Sequence, residues 1–204
     1  SIPRTLFAFA LPILLGNVLQ SINGSINSIW VGKFLGTAAL TATNNANIVM
    51  FLLLGGVFGI TMASTILIAQ AVGGRRTEEA KRVVGTSATF FMMLAVVFAA
   101  FGMAFSPHVL AWMGTPHDAL PLAVAYMRVM FLALPSSYAF FFINAALRGA
   151  GDSKTPFYYL VVSVVLDIAL NPLFIFGLGP VPALGIAGSA TATLVAQGVS
   201  LVGL

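Results

Sequence analysis

Asp167 is set apart by its surroundings. It lies in the apolar run 156–176, and of the five acidic residues in the chain it alone falls inside a predicted membrane-spanning segment. Ser163, Asp167 and Asn171 recur at i, i+4 intervals, which puts them on one helix face. A second line, Ser189, Thr193, Gln197 and Ser200, follows nearly the same spacing further on. A third occupies GNVLQSINGSINSIW (16–30), where Asn17, Gln20, Ser21, Asn27 and Ser28 share a face with Gly24. Carboxylate, amide and hydroxyl oxygens of this kind are hard ligands that suit a small hard cation. A charge near the bilayer centre is costly, and such groups usually mark ion paths or proton relays. The alternative is that the three lines only hold helices together by hydrogen bonds. In either case lipid offers no partner, so the lines must face one another or a water-filled cavity.

Those lines require long helices to carry them. The 204 residues are 59% hydrophobic and only 7% charged, against roughly 25% charged in an ordinary soluble domain. With a mean hydropathy of +1.03, and apolar runs near the roughly 20 residues that span a bilayer, the fold class is all-α integral membrane. The apolar runs predict six transmembrane helices, at about 6–32, 44–71, 84–105, 119–143, 156–176 and 185–204. Ser106-Pro107, Thr115-Pro116 with Asp118, and Thr155-Pro156 read as helix starts, each pairing a capping oxygen with a proline suited to the first turn. Gly185, Gly188, Ser189 and Ala192 form a small-residue face for close packing. Gly55, Gly56 and Gly59 do the same or let their helix bend. The aromatic run 138–142 is expected on a lipid-facing or lobe-contact surface.

Orientation follows the positive charges. Of the nine Lys and Arg residues, all but Lys33 and Arg128 fall before helix 1, between helices 2 and 3, or between helices 4 and 5. The positive-inside rule then makes this an inner (plasma) membrane protein with both ends of the segment cytoplasmic. Arg128, near the outer end of helix 4, snorkels or forms an ion pair. The segment GGRRTEEAKR (73–82) reads as a solvated loop helix with Glu78 facing Arg82.

Other chemistry is excluded by what is missing from the sequence. There are no cysteines, hence no thiolate metal site, disulfide or thiol nucleophile. His108 and His117 sit in the predicted loop between helices 3 and 4 with no matching ligands. No GxSxG, HExxH or phosphate-loop pattern occurs, so no enzyme is expected. The basic residues are scattered between apolar runs, which gives no support to nucleic-acid binding. The opening SIPRTLF has neither an initiator Met nor a signal-peptide pattern, and the chain reads as a piece of a longer one.

Several motifs bring a known family into view. ALRGAGDSKTP (146–156), VVLDIALNPLFIFGLG (164–179) and ALGIAGSATATLVAQ (183–197) resemble the multidrug and toxic compound extrusion (MATE) family, as do LPILLGN (11–17), SIWVGKFLGTAALTA (28–42) and ILIAQAVGG (66–74). The similarity runs in order over essentially the whole chain. It implies that 1–204 is the amino-terminal lobe of a two-lobed, twelve-helix transporter whose carboxy-terminal lobe is absent here.

The resemblance also implies a function. It points to secondary-active export of amphiphilic or cationic compounds in exchange for protons or sodium ions by alternating access. The implied partners are the lipid bilayer, a small-molecule substrate and the other lobe. No cofactor is expected beyond the coupling ion, and no metal beyond sodium. Carried over residue by residue, the coupling-ion site comprises Asn27, Asp167, Asn171 and Thr193, with Asn17, Gln20, Ser163, Ser189 and Gln197 as polar seam or cavity lining.

This chain departs from the family pattern in two places. INSIWVG has Asn27 where many members carry Asp, and helix 5 has Asp167 then Asn171 where many carry the reverse order. One carboxylate remains in place of two, about one helical turn nearer the cytoplasm, which favours proton coupling through Asp167. Alternatives are a lipid or polysaccharide-precursor flippase of the same superfamily and a non-transporting membrane scaffold. Depth poses a further question. Counted from Leu6, Asn27 is about 31 Å along its helix, whereas Asp167 is about 16 Å from Pro156. For the two to meet, helix 1 must begin outside the hydrocarbon or bend; otherwise Asn27 lines the outer entrance.

Overall fold

A computed structural model describes residues 2–177 and 182–204, so Leu178 and Gly179 of the 164–179 motif lie outside the described residues. Among the described residues the regular structure is helical: α1 (Ile2–Gly73), α2 (Thr77–Trp112), α3 (Leu120–Gly149), α4 (Lys154–Phe176) and α5 (Ile186–Gly203). All five are long and apolar enough to cross a membrane.

The 72 residues of α1 would make a rod of about 108 Å if straight. They do not, because Gly36 breaks the helix with φ 85° and ψ 179°, a backbone conformation that glycine reaches without a Cβ penalty. The first arm, 2–35, packs along α4, with Gly16 against Leu160 and Trp30 and Phe34 edge-on to Phe176. The second arm, 37–73, starts beside the α2–α3 connection, where Asn45 donates to Thr115 at 3.0 Å. It finishes beside the end of α3, where Gly149 lies against Thr65 and Ile68. The two arms therefore run in opposite directions, and the loop expected around 33–43 is replaced by one glycine. The helix-favouring run TAALTA lets the second arm begin at once.

Other boundaries move as well. α2 starts at Thr77 instead of 84, absorbing the charged segment. Its first turn holds Glu78 and Glu79, a placement the helix dipole favours. Glu78 pairs with Lys81 at 2.9 Å, not with Arg82, and Glu79 pairs with Arg76 at 2.8 Å. Both pairs are exposed and contribute about 1 kcal/mol or less. Ser106, Pro107 and His108 lie within α2, not at a helix start or in a loop. Thr115 does not cap α3; its hydroxyl accepts from Asn45 instead, and Pro121 occupies the first turn of α3.

Thr155 does not cap α4 either. The capping oxygen is Asp152 Oδ1, which accepts the backbone N–H groups of Lys154 and Thr155, both at 3.0 Å. The hydroxyl and N–H of Thr155, then the N–H and charge of Lys154, hold the Asp152 carboxyl below its ordinary 3.8. A lowered value means the cap's contribution is complete above the ordinary carboxylate range and is lost as pH falls through the lowered value. Asp152→Ala is expected to fray the first turn of α4 at a cost of about 1 kcal/mol. Faster amide exchange at Lys154 and Thr155 at neutral pH, converging with the parent protein in acid, is the signature to look for.

The core gathers on α3, which packs against α2, the second arm of α1 and α5. Tyr138, Phe140 and Phe142 are buried there, contrary to the lipid- or lobe-facing surface expected of this run. Large rings fill the space between helices that the small side chains of the arms leave open. Of the expected small-residue face, Gly188, Ser189 and Ala192 are buried in α5, and a Cβ at Gly188 would come within 2.4 Å of the Phe174 carbonyl oxygen, whereas Gly185 precedes the helix and has nothing within 4 Å of a built Cβ. Gly55, Gly56 and Gly59 have nothing within 4 Å of a built Cβ, so they pack no helix within this lobe. Arg128 is exposed.

Candidate functional site

Three helices deliver the site. α4 presents Asp167 and Asn171 one turn apart, 1% and 0% exposed. The first arm of α1 supplies Asn23 and Asn27 from the same i, i+4 spacing, and α5 supplies Thr193. Asn23 Nδ2 donates to Asp167 Oδ2 at 2.7 Å and Asn27 Nδ2 to the same oxygen at 3.0 Å. Thr193 Oγ1 donates to Oδ1 at 3.0 Å. Asn171 Nδ2 approaches Oδ1 at 3.4 Å, the Asp167 carbonyl at 2.9 Å and Asn27 Oδ1 at 2.8 Å.

Every one of these side chains donates, and the carboxylate accepts. An ionised carboxylate in a dry site is thereby given the hydrogen bonds that water would otherwise supply. Among the described residues no Lys or Arg pairs with it; the ion pairs lie in the exposed segment 76–81. Two amide oxygens in the cluster, Asn23 Oδ1 and Asn171 Oδ1, are buried with no hydrogen-bond partner. They are spare acceptors beside the carboxyl group, open to a donor or a cation.

The structure brings together Asp167, Asn171, Asn27 and Thr193, all four expected at this site. The depth question resolves because α1 begins at Ile2 and its Gly16 is level with Leu160 of α4. The first turns of the arm thus lie beyond the start of α4, and Asn27 reaches the level of Asp167.

The wider polar seam does not close on Asp167 as one surface. Asn17 and Gln20 are exposed and line a separate cavity toward the start of α4. Gln197 accepts a 2.6 Å bond from Ser137 of α3. Ser163 and Ser189 are buried in helix packing, with the Ser189 carbonyl accepting from Thr193 at 3.3 Å. Ser21 and Ser28 donate to their own helix, at Asn17 and Gly24.

Asn23 is the member that face-counting from Asn17 overlooked. Its signal was the i, i+4 pairing with Asn27, the same interval that joins Asp167 to Asn171. Asn23→Ala is expected to lower stability by about 1–2 kcal/mol, because a donor to a buried charge is lost. Asn17→Ala, at an exposed position, is expected to stay within about 0.5 kcal/mol. Thermal unfolding of the two variants in one detergent is the comparison.

A family model described as MatE matches residues 12–173. The chain is 43% identical over 195 residues to the "Probable multidrug resistance protein YoeA" of Bacillus subtilis, covering 96% of this chain and 42% of that protein. It is 26% identical to the multidrug export protein MepA of Staphylococcus aureus, covering 95% of this chain and 42% of that one. Among solved structures it superposes with a TM-score of 0.89, at 26% identity, on an outward-facing multidrug resistance MATE family transporter of the MOP superfamily, covering 97% of this chain and 43% of that one. The chain spans less than half the length of the relatives it matches. From the family model and the agreement in sequence and fold, the chain belongs to the MatE family, the multidrug and toxic compound extrusion transporters.

Proposed function

We propose that this chain is the amino-terminal lobe of a secondary-active multidrug antiporter, which exports amphiphilic or cationic compounds in exchange for protons or sodium ions. In this reading the two arms of α1 are separate spans, so the lobe has six, and a second lobe completes the cavity. The connections between α1 and α2 and between α3 and α4 face the cytoplasm, as the positive-inside rule favours for the Arg and Lys residues in or beside them. The observation that carries the reading is the fully buried Asp167, held by donors from three helices with no cation paired to it among the described residues.

The donor ring suggests how an ion is coupled to movement. When Asp167 takes up a proton, one of its oxygens becomes a donor and can no longer accept two Asn amides. Turning the Asn23 amide then places its unpartnered oxygen toward the new O–H. A sodium ion would draw on the same oxygens. Either event rearranges the bonds that tie the first arm of α1 to α4, so ion binding biases how that arm sits. The single carboxylate and the absence of a second one favour the proton.

The test uses the full-length protein in liposomes, comparing export driven by an imposed proton gradient with export driven by a sodium gradient. Drive by the proton gradient alone is the expected result. Equal export with neither gradient would show a passive or differently powered route and end the antiport reading.

A further inference from the structure

Arg148 belongs to the final turn of α3, not to the loop where the sequence placed it, and its side chain is half-buried. Its Nε donates to the Asn144 carbonyl at 3.3 Å, one turn back in the same helix. Asn144 is itself held by its Nδ2 donating to the Phe140 carbonyl at 2.6 Å. Among the described residues no carboxylate lies within ion-pair distance of the guanidinium, so its remaining N–H groups are free for another acceptor. The helix end that carries it is pinned, since Gly149 presses on the Thr65 carbonyl so closely that a Cβ would come within 2.8 Å.

Arg148 lines two cavities. One, of about 570 Å³, opens between the first arm of α1, α3 and the start of α4, and has Asn17, Gln20 and Ser153 on its wall. The other, of about 310 Å³, lies along the second arm of α1 and is walled by Val57, Met62 and Ala145. Leu54, Phe58 and Phe141 border both. Each volume is within the roughly 300–1,000 Å³ of small-molecule sites. The combination is an apolar, aromatic sleeve with one fixed, unpaired guanidinium and a few neutral polar groups. A planar fork of this kind matches a phosphate or carboxylate.

We infer that Arg148 anchors the anionic head of an amphiphile whose apolar body lies against Phe58 and Phe141. This site is distinct from the Asp167 cluster, and the inference stands whether or not Asp167 couples an ion. Two sources carry that chemistry, a soluble aromatic phosphate or carboxylate and the headgroup of an inner-leaflet anionic lipid.

The experiment measures binding of naphthyl phosphate to the full-length protein in phosphatidylcholine nanodiscs by equilibrium dialysis, beside naphthylmethylammonium and inorganic phosphate. Naphthyl phosphate is expected to bind, inorganic phosphate to bind more weakly, and naphthylmethylammonium not to compete. Arg148→Gln is expected to weaken naphthyl phosphate by about 10- to 100-fold, the loss of a charge-assisted hydrogen bond, with Arg148→Lys in between. Phe58→Ala removes the apolar wall without touching the guanidinium, and should weaken naphthyl phosphate while leaving inorganic phosphate unchanged. It serves as the test if Arg148→Gln does not fold. Repeating the titration with phosphatidylglycerol in the discs separates the sources. A loss there larger than the one Arg148→Gln shows between the same two discs, which reports surface charge alone, shows that the lipid headgroup competes for the same guanidinium, and an equal loss assigns the site to soluble anions. Unaltered affinity in a folded Arg148→Gln, equal binding of naphthylmethylammonium, or unaltered affinity in Phe58→Ala would overturn the inference.

Discussion

Asp167→Asn in the full-length protein is expected to abolish ion-driven export while leaving the lobe folded. The substitution preserves shape and removes the one charge in the cluster. Four donors that converge on a carboxylate then face a neutral amide that offers a single acceptor oxygen. The unpartnered Asn23 oxygen gives the new amide N–H somewhere to go once the Asn23 side chain turns. Lost charge-assisted bonds are thus set against the relief of a buried charge, worth about 2.5–3.5 kcal/mol at a helix centre, and the melting temperature should change little. Transport is a different matter. Without the carboxylate the site has no group able to take up a proton, so proton-driven export is expected to be lost, and a cation would lose a charge-assisted contact of about 1.5–3 kcal/mol, about 10- to 100-fold in affinity. Export by Asp167→Asn driven as well as in the parent protein would remove Asp167 from the coupling role. A change confined to stability would favour the scaffold reading.

Gly188→Ala is expected to be a strongly damaging single-methyl change. The new carbon would sit 2.4 Å from the Phe174 carbonyl oxygen and 2.8 Å from the Ile175 backbone nitrogen. Neither is a flexible side chain, so α4 and α5 must separate. Overpacking of this sort costs about 1–3 kcal/mol, which lowers the melting temperature by about 2–12 °C in a domain of this size. The consequence reaches the site, because Thr193 on α5 meets Asp167 on α4 at 3.0 Å. Gly198→Ala on the same helix is the control. Nothing lies within 4 Å of a Cβ there, and alanine's helix propensity should leave stability equal or raised by up to about 1 kcal/mol. Matching melting temperatures for the two variants would mean that the α4–α5 contact is not as close as described.

The class of this protein was legible in its composition, and the carboxylate in its isolation. Charge-poor apolar runs demand helices because a backbone in lipid must satisfy its own hydrogen bonds. A lone Asp among them stands out for the same physical reason. The i, i+4 spacing of Asp167 with Asn171, the polar lines that offered Asn27 and Thr193, and the family resemblance that joined them, named four members of the cluster that the fold assembles. Boundaries were less legible. The sequence reading placed a loop at 33–43 where Gly36 alone turns the chain, because one residue with φ 85° leaves no compositional trace beyond a glycine among twenty. Ser106-Pro107 read as a cap, yet the helix runs through it.

What sequence alone determined is the set of residues each helix carries on each face, since periodicity is local and follows from 3.6 residues per turn. Which faces meet, and at what height, was decided by the tertiary structure. Gln197 shares a helix with Thr193 but bonds Ser137, and Asn17 shares an arm with Asn23 but faces a different cavity. Arg148 read as a loop charge and became the wall of two cavities once α3 ran on to Gly149. Each outcome depends on how far one helix slides along its neighbour, as Gly16 does against Leu160. That offset is set by packing between segments more than a hundred residues apart in sequence, so no local pattern encodes it.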